Sequence, residues 1–390
     1  MGAAHANSPK TTAFSGFSAG ARAPAPSRIP SEVPSMKAWR PLLLLLLSVV
    51  TGCELTSTPD DRVVGGVNLT ELFTPATPAE REAVLDDWAS RNPIAEDVRT
   101  VHQASATLGG SPATVRVLSH EVGGVTHFGA VVAPDGAAPA SLPILVYLHG
   151  GDSGVSVDGE VLFIMQFLTS LADRFVIVVP SFRDESVRFA GQSWRSDGPP
   201  SPWDYDVDDA LALLDAAIAT TPAADPTRIA TMGMSRGGAV ALLMAARDER
   251  IDRVVDFFGP TDFFGEFVQD VTEELLNGRP RDLPGLEYMN ATYLEPLRDG
   301  EMAPAVVRLA LARRSAALFA GRLPEVQVHH GKADVIVPVS QAEAFIDAMN
   351  DAGRTAPGFQ SYLYDGGEHS PLTLTGAFDR THEFLAQLMP

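Results

Sequence analysis

"RIATMGMSRGGAV" (228–240) is the stretch on which the fold turns. An apolar run from Ile229 to Met234 gives way to Gly233-x-Ser235-x-Gly237, and small and apolar residues then follow at helical spacing. Strand, tight turn and helix in that order are the context that makes a G-x-S-x-G informative, because a lone match is weak. A serine at such a turn sits in strained backbone, and side chains two residues to either side would collide, hence the glycines. The turn exposes the hydroxyl at a helix N-terminus, where negative charge is tolerated. A tight turn with a capping serine is the plainer alternative, but the flanking elements favour Ser235 as a nucleophile.

The same rhythm continues in both directions. "PILVYLHGG" (143–151), "FVIVVPSFR" (175–183), "IDRVVDFFG" (251–259), "EVQVHHG" (325–331) and "FQSYLYDGG" (359–367) are further apolar runs ending in loop residues. Between them lie helical patterns at 161–174, 204–221, 237–248, 340–353 and 375–389. Unbroken apolar strands alternating with helices imply an α/β fold, with a mostly parallel sheet covered on both faces. Ligands gather at the carboxyl ends of such strands. Residues 113–120 and 125–133 alternate like a hairpin, and "TPAEREAVLDDWASR" (77–91) reads as a helix with a capping box of Thr77 and Glu80. A helical cap insertion is expected at about 261–322, outside the rhythm.

A serine hydroxyl needs a base, and the base an orienting carboxylate. The expected chain order is serine, acid, histidine. His369, in "DGGEHS", follows the last expected strand. Asp334, in "HHGKADVIVP", lies after the strand before it, with Asp262 as a rival and Asp256 less suited because it falls mid-strand. "HGGDSGV" (149–155) holds both an anion cradle and a decoy. "GDSG" suggests a chymotrypsin-like nucleophile at Ser153, but Val155 replaces the glycine that should follow, and His102, His120 and His127 lack that family's setting. The pair His329-His330 is isolated and alternates across a strand, so no metal site is expected.

Composition bounds the rest. The 390 residues are 45% hydrophobic and 20% charged, and the formal net charge is −20. That balance argues against nucleic acid, which requires clustered Lys and Arg. Cys53 is the one cysteine and ends "MKAWRPLLLLLLSVVTGC" (36–53). A short basic region, an apolar core too short to span a bilayer comfortably and small residues before a cysteine make this segment resemble a bacterial lipoprotein signal peptide, with translation starting at Met36. The resemblance implies cleavage after Gly52, acylation of Cys53 and an exported protein anchored to a bacterial membrane. Residues 1–52 are then extension and leader, 53–68 a tether, and 69–390 the folded domain.

"HGG", "GMSRGG", "HGKADVIVP" and "GGEHS" together resemble the catalytic domain of the prolyl oligopeptidase family, an α/β-hydrolase, over about residues 125–388. The resemblance implies Ser235 as nucleophile, Asp334 as acid and His369 as base. It also implies an oxyanion hole made by the backbone N–H groups of Gly151 and Arg236. No cofactor is implied. The expected substrate is a small ester or a short peptide, and the oligomeric state is left open. About 90 residues separate Cys53 from the hydrolase core, too few for the β-propeller that the family's peptidases usually carry, so the chain also resembles compact esterases. Dienelactone hydrolases are similar in size but use cysteine where this chain has Ser235. The alternative of a different class is a substrate-binding lipoprotein with a vestigial hydrolase fold.

Overall fold

A computed structural model describes residues 61–390. Nine strands form one sheet: β1 (Glu96–Leu108), β2 (Ser111–Val122), β3 (Val125–Pro134), β4 (Leu142–Leu148), β5 (Val176–Pro180), β6 (Ala224–Met234), β7 (Ile251–Phe257), β8 (Glu325–Gly331) and β9 (Phe359–Tyr364). Their spatial order is β9-β8-β7-β6-β4-β5-β3-β2-β1. The six strands from β4 onward run parallel, and β3, β2 and β1 continue the sheet in antiparallel pairing. The hairpin of β2 and β3 turns at Gly123-Gly124, both with positive φ, and places His120 directly opposite His127. β1 was not legible as a strand, nor was the small sheet of residues 155–156, 186–189 and 192–195 beside the main one.

Alternation in the apolar strands feeds two cores, one on each face. From β4, Ile144, Val146 and Leu148 enter the first core and Leu145 and Tyr147 the second. Burying one such side chain stabilises by roughly 1.5–3 kcal/mol, so a slip of one residue that swapped the faces is strongly disfavoured. The first core is covered by α1 (Pro78–Ser90), α2 (Tyr205–Thr220), α3 (Arg236–Arg247), α5 (Pro304–Arg314) and α6 (Ser340–Asp351), and the second by α7 (Ala377–Ala386) and residues 157–174. In α1 the capping box is complete: the Thr77 hydroxyl accepts from the Glu80 amide at 3.2 Å, and Glu80 accepts from the Thr77 amide at 2.8 Å.

One expectation is corrected. The helix expected at 161–174 is broken into a π turn, a four-residue α-helix and a 3₁₀ segment, with Thr169 at φ 49° and ψ −127°. The broken segment packs closely against the β1–β2 turn, where a Cβ on Gly109 would lie 3.0 Å from the Thr169 carbonyl oxygen. The acidic start of α2 is buried against arginines. Asp204, Asp206, Asp208 and Asp209 are all buried, each paired with arginine: Asp204 with Arg91, Asp206 with Arg236, Asp208 with Arg91 and Arg247, and Asp209 with Arg183.

Between β7 and β8 the chain is helical, with α4 (Glu266–Leu276), short helical turns over residues 286–298, α5 and a 3₁₀ segment at Ala316–Arg322. Among the described residues no helix is long and apolar enough to cross a membrane.

Candidate active site

The sheet reverses its order at β4. The chain passes from β4 to β5 on one side and then to β6 on the other, so the crevice lies above the carboxyl ends of β4 and β6. Leu148 is in register with Gly233, which sets the loop His149-Gly150-Gly151 beside the turn at Ser235. A Cβ on Gly150 would lie 3.2 Å from the Ser235 Cβ.

Ser235 has φ 55° and ψ −123°, a conformation that costs a non-glycine residue about 1–3 kcal/mol. The surroundings hold it there. Its amide donates to the Phe257 carbonyl at 2.8 Å, and its carbonyl accepts from the Gly238 amide at 2.9 Å. The expected crowding is present: a Cβ on Gly233 would sit 2.0 Å from the Gly237 carbonyl oxygen, and one on Gly237 would sit 2.0 Å from that of Leu148. Ser235 is the N-cap of α3, and the Arg236 amide is the first in the helix, one of the donors that have no partner within it.

Asp334 follows β8 and His369 follows β9. Nδ1 of His369 lies 2.7 Å from Oδ2 of Asp334. The other oxygen, Oδ1, accepts from the amides of Ile336 at 2.9 Å and Val337 at 3.0 Å. The carboxylate is therefore fixed as an acceptor, so the His369 proton resides on Nδ1 and Nε2 is left to accept. The Phe258 ring packs on the His369 ring, with centroids 4.5 Å apart. Because Phe257 holds the Ser235 amide, this one strand end supports both the serine and the histidine. Asp262 does not meet the histidine: it accepts from the Phe264 amide at 2.9 Å. Asp256 lies under the turn, accepts from the Gly259 amide, and is pushed up to about 7 by burial.

Sequence reading credited Arg236 with a backbone amide alone and missed its side chain. The guanidinium is buried and grips both oxygens of Asp206 at 2.8 Å. It also reaches Glu185 Oε1 at 2.5 Å and the Gly151 carbonyl at 3.0 Å. Glu185 in turn accepts from the Gly154 amide at 3.1 Å, and burial raises its carboxyl to about 7 against the pull of Arg236. One cation thus ties the loop after β4, the loop after β5 and the start of α2 to the serine turn. The signals were the arginine directly after the serine and the acidic run 204–209, but nothing in the sequence pairs them. His149 is held neutral by burial, which lowers it to about 3, and its Nδ1–H donates to the Gly150 carbonyl.

Ser235 and Arg236 line an apolar cavity of about 880 Å³, open mouth included. Trp203 and Phe263 share its wall, packed edge to face with centroids 5.1 Å apart. Other aromatics nearby in the sequence do different work: Phe257 is in the second core, Phe264 lies under Arg308, and Trp194 packs on His102. Ser153 is exposed on its loop, and its carbonyl accepts from Arg188. His329 and His330 have separate partners, Tyr364 with Gln327 for the first and the Val337 carbonyl for the second. Among the described residues no group of three or more His, Cys, Asp or Glu is placed to hold a metal ion. Cys53 lies outside the described residues.

The chain is similar in structure to acetyl xylan esterase 1 from a Thermoanaerobacterium species, at 18% identity and a TM-score of 0.56, covering 83% of this chain and 99% of that one. It is similar also to an acetyl xylan esterase from a Paenibacillus species, at 16% identity and a TM-score of 0.52, covering 82% and 98%. An acylaminoacyl peptidase from Pyrococcus horikoshii matches at 14% identity and a TM-score of 0.50, covering 71% of this chain but 48% of that one. These likenesses show the fold. No curated protein matches the chain in sequence. The model of the prolyl oligopeptidase family matches residues 163–388, more than half of the chain and a span that includes Ser235, Asp334 and His369. The chain is an α/β-hydrolase and belongs to the prolyl oligopeptidase family.

Proposed function

We propose that this serine hydrolase cleaves carboxylic esters through an acyl-enzyme formed on Ser235. The observation that carries the reading is the 2.7 Å contact of His369 with Asp334 at the sheet edge that also holds the strained Ser235. His369 Nε2 takes the hydroxyl proton as Oγ attacks the carbonyl carbon, and the carbonyl π pair moves to oxygen. The amides of Gly151 and Arg236 receive that oxyanion, each donor being worth about 3 kcal/mol in the barrier. The tetrahedral adduct collapses, the leaving alcohol takes the proton from His369, and water repeats the sequence to free the acid. Asp334 keeps the imidazole in the required tautomer and stabilises its cation.

An ester is preferred to a peptide because the cavity at Ser235 is walled almost wholly by apolar side chains, and a peptide's N–H and C=O groups would find few partners there. Comparing wild type with Ser235→Ala on p-nitrophenyl esters and on aminoacyl and prolyl arylamides tests this. Ester hydrolysis lost in the variant supports the reading, whereas turnover of arylamides alone overturns it.

The protein is further proposed to act outside the cytoplasm, tethered through an acylated Cys53, on the strength of "LLLLLLSVVTGC" (42–53). Cys53→Ser is expected to move the protein from the membrane to the soluble fraction, and an unchanged distribution contradicts the tether.

A further inference from the structure

The cavity at Ser235 is drier than hydrolysis of a small ester requires. Its walls come from several parts of the chain: Phe267, Val268 and Val271 on α4, Met289 on the following short helix, Leu72 ahead of α1, and Ile336 beside Asp334. Few of its side chains carry polar atoms: Ser235, Arg236, Trp203 and Thr272. The charge of Arg236 is already matched by Asp206 and Glu185. The apolar lining runs from Leu72 across α4 to Met289, a longer dry wall than an acetyl group needs.

A second and more polar hollow adjoins it, sharing Arg236 and Gly285 and lined also by Asp152, Asp184 and Tyr288. The two hollows differ as the two halves of an ester differ during turnover. The acyl group stays bonded to the serine until water releases it, so it profits from an enclosed dry wall. The alcohol must depart and water must arrive, which suits the wetter side.

We infer that the cavity framed by α4, Met289 and Leu72 is an acyl-chain site, and that the substrates are esters of lipophilic rather than short-chain acids. This rests on Ser235 being the nucleophile. Each methylene that moves from water into the cavity raises kcat/KM roughly fourfold until the space is filled.

The experiment uses the purified protein with p-nitrophenyl esters from acetate to dodecanoate, and in parallel acetate esters of alcohols of rising length. The expected result is a steep rise along the acyl series to at least octanoate and a flat alcohol series. Val268→Trp, on a partly exposed wall position, is expected to lower the ratio of octanoate to butyrate activity at least tenfold. Phe267→Ala is expected to move the optimum to longer chains. Active-site titration with a fluorophosphonate separates the two layers. A protein that labels at Ser235 yet shows a flat acyl series, a rise along the alcohol series, or unmoved ratios in both variants overturns the acyl-chain site and leaves the hydrolase standing. A wild type that does not label overturns the hydrolase and the site with it.

Discussion

His369 Nδ1 sits 2.7 Å from Asp334 Oδ2, and the remaining oxygen of that carboxylate is occupied by two backbone amides. Asp334→Asn keeps the size of the side chain but allows an amide N–H to face the imidazole, which destabilises the tautomer with Nε2 free. The expected loss in kcat is roughly 10³–10⁴-fold. Asp262→Asn is the matched control, since that side chain serves only the local turn at Phe264. Steady-state kinetics of the two variants check the assignment. Comparable losses in both would contradict it.

Arg236 allows its side chain to be tested apart from its amide. Arg236→Met keeps the backbone donor and much of the apolar stem but leaves Asp206 and Glu185 buried without their cation. Breaking a buried pair in this way costs about 3–5 kcal/mol. Urea unfolding should show that loss, with kcat reduced as well because the Gly151 carbonyl is released from its tie. Unchanged stability would mean the four-way junction is not a structural clamp.

The buried histidines set the acid limb of stability. His120 and His127 face each other across the hairpin with no hydrogen-bond partner, and burial lowers them to about 4 and about 3. The unfolded chain takes up protons near pH 6.5 while the folded chain refuses them. Their contribution is therefore complete above about pH 6.5 and is lost as the pH falls towards 4, at up to about 1.4 kcal/mol per pH unit for each histidine. Asp209, beside His127 and raised to about 7 by burial, works in the opposite sense, its contribution being lost as the pH rises from about 4 through 7. Replacing both histidines, as in His120→Phe with His127→Phe, is expected to remove their share of the stability lost between about pH 6.5 and 4, making the profile less steep on that side than in the wild type. A profile as steep as that of the wild type would contradict the assignment.

Legibility in the sequence followed the range of the interactions. The strand, turn and helix around Ser235 are local, and their glycines announce the steric limits that the structure shows at Gly233 and Gly237. The α1 capping box is local too and was readable from Thr77 and Glu80. The parallel strands stood out because burial on both faces leaves no polar alternation. β1 did not: its residues are mostly exposed or half-buried, so it carries no apolar signature. The choice between Asp334 and Asp262 depended on which loop reaches His369, a matter of contacts between strands far apart in the chain. The junction at Arg236 was hidden for the same reason, since Glu185 comes from the loop after β5 and Asp206 from the start of α2. The break at Thr169 lies against a turn 60 residues away, a contact that the regular helical pattern of 161–174 does not announce.

The central claim is that Ser235 is the residue that carries the acyl group. The most direct measurement is covalent labelling of the purified protein with a fluorophosphonate, followed by mass spectrometry of the modified peptide. The account predicts one adduct, on the peptide containing Ser235, and none in Ser235→Ala. A wild type that remains unlabelled, or a Ser235→Ala variant that labels equally well, would contradict it.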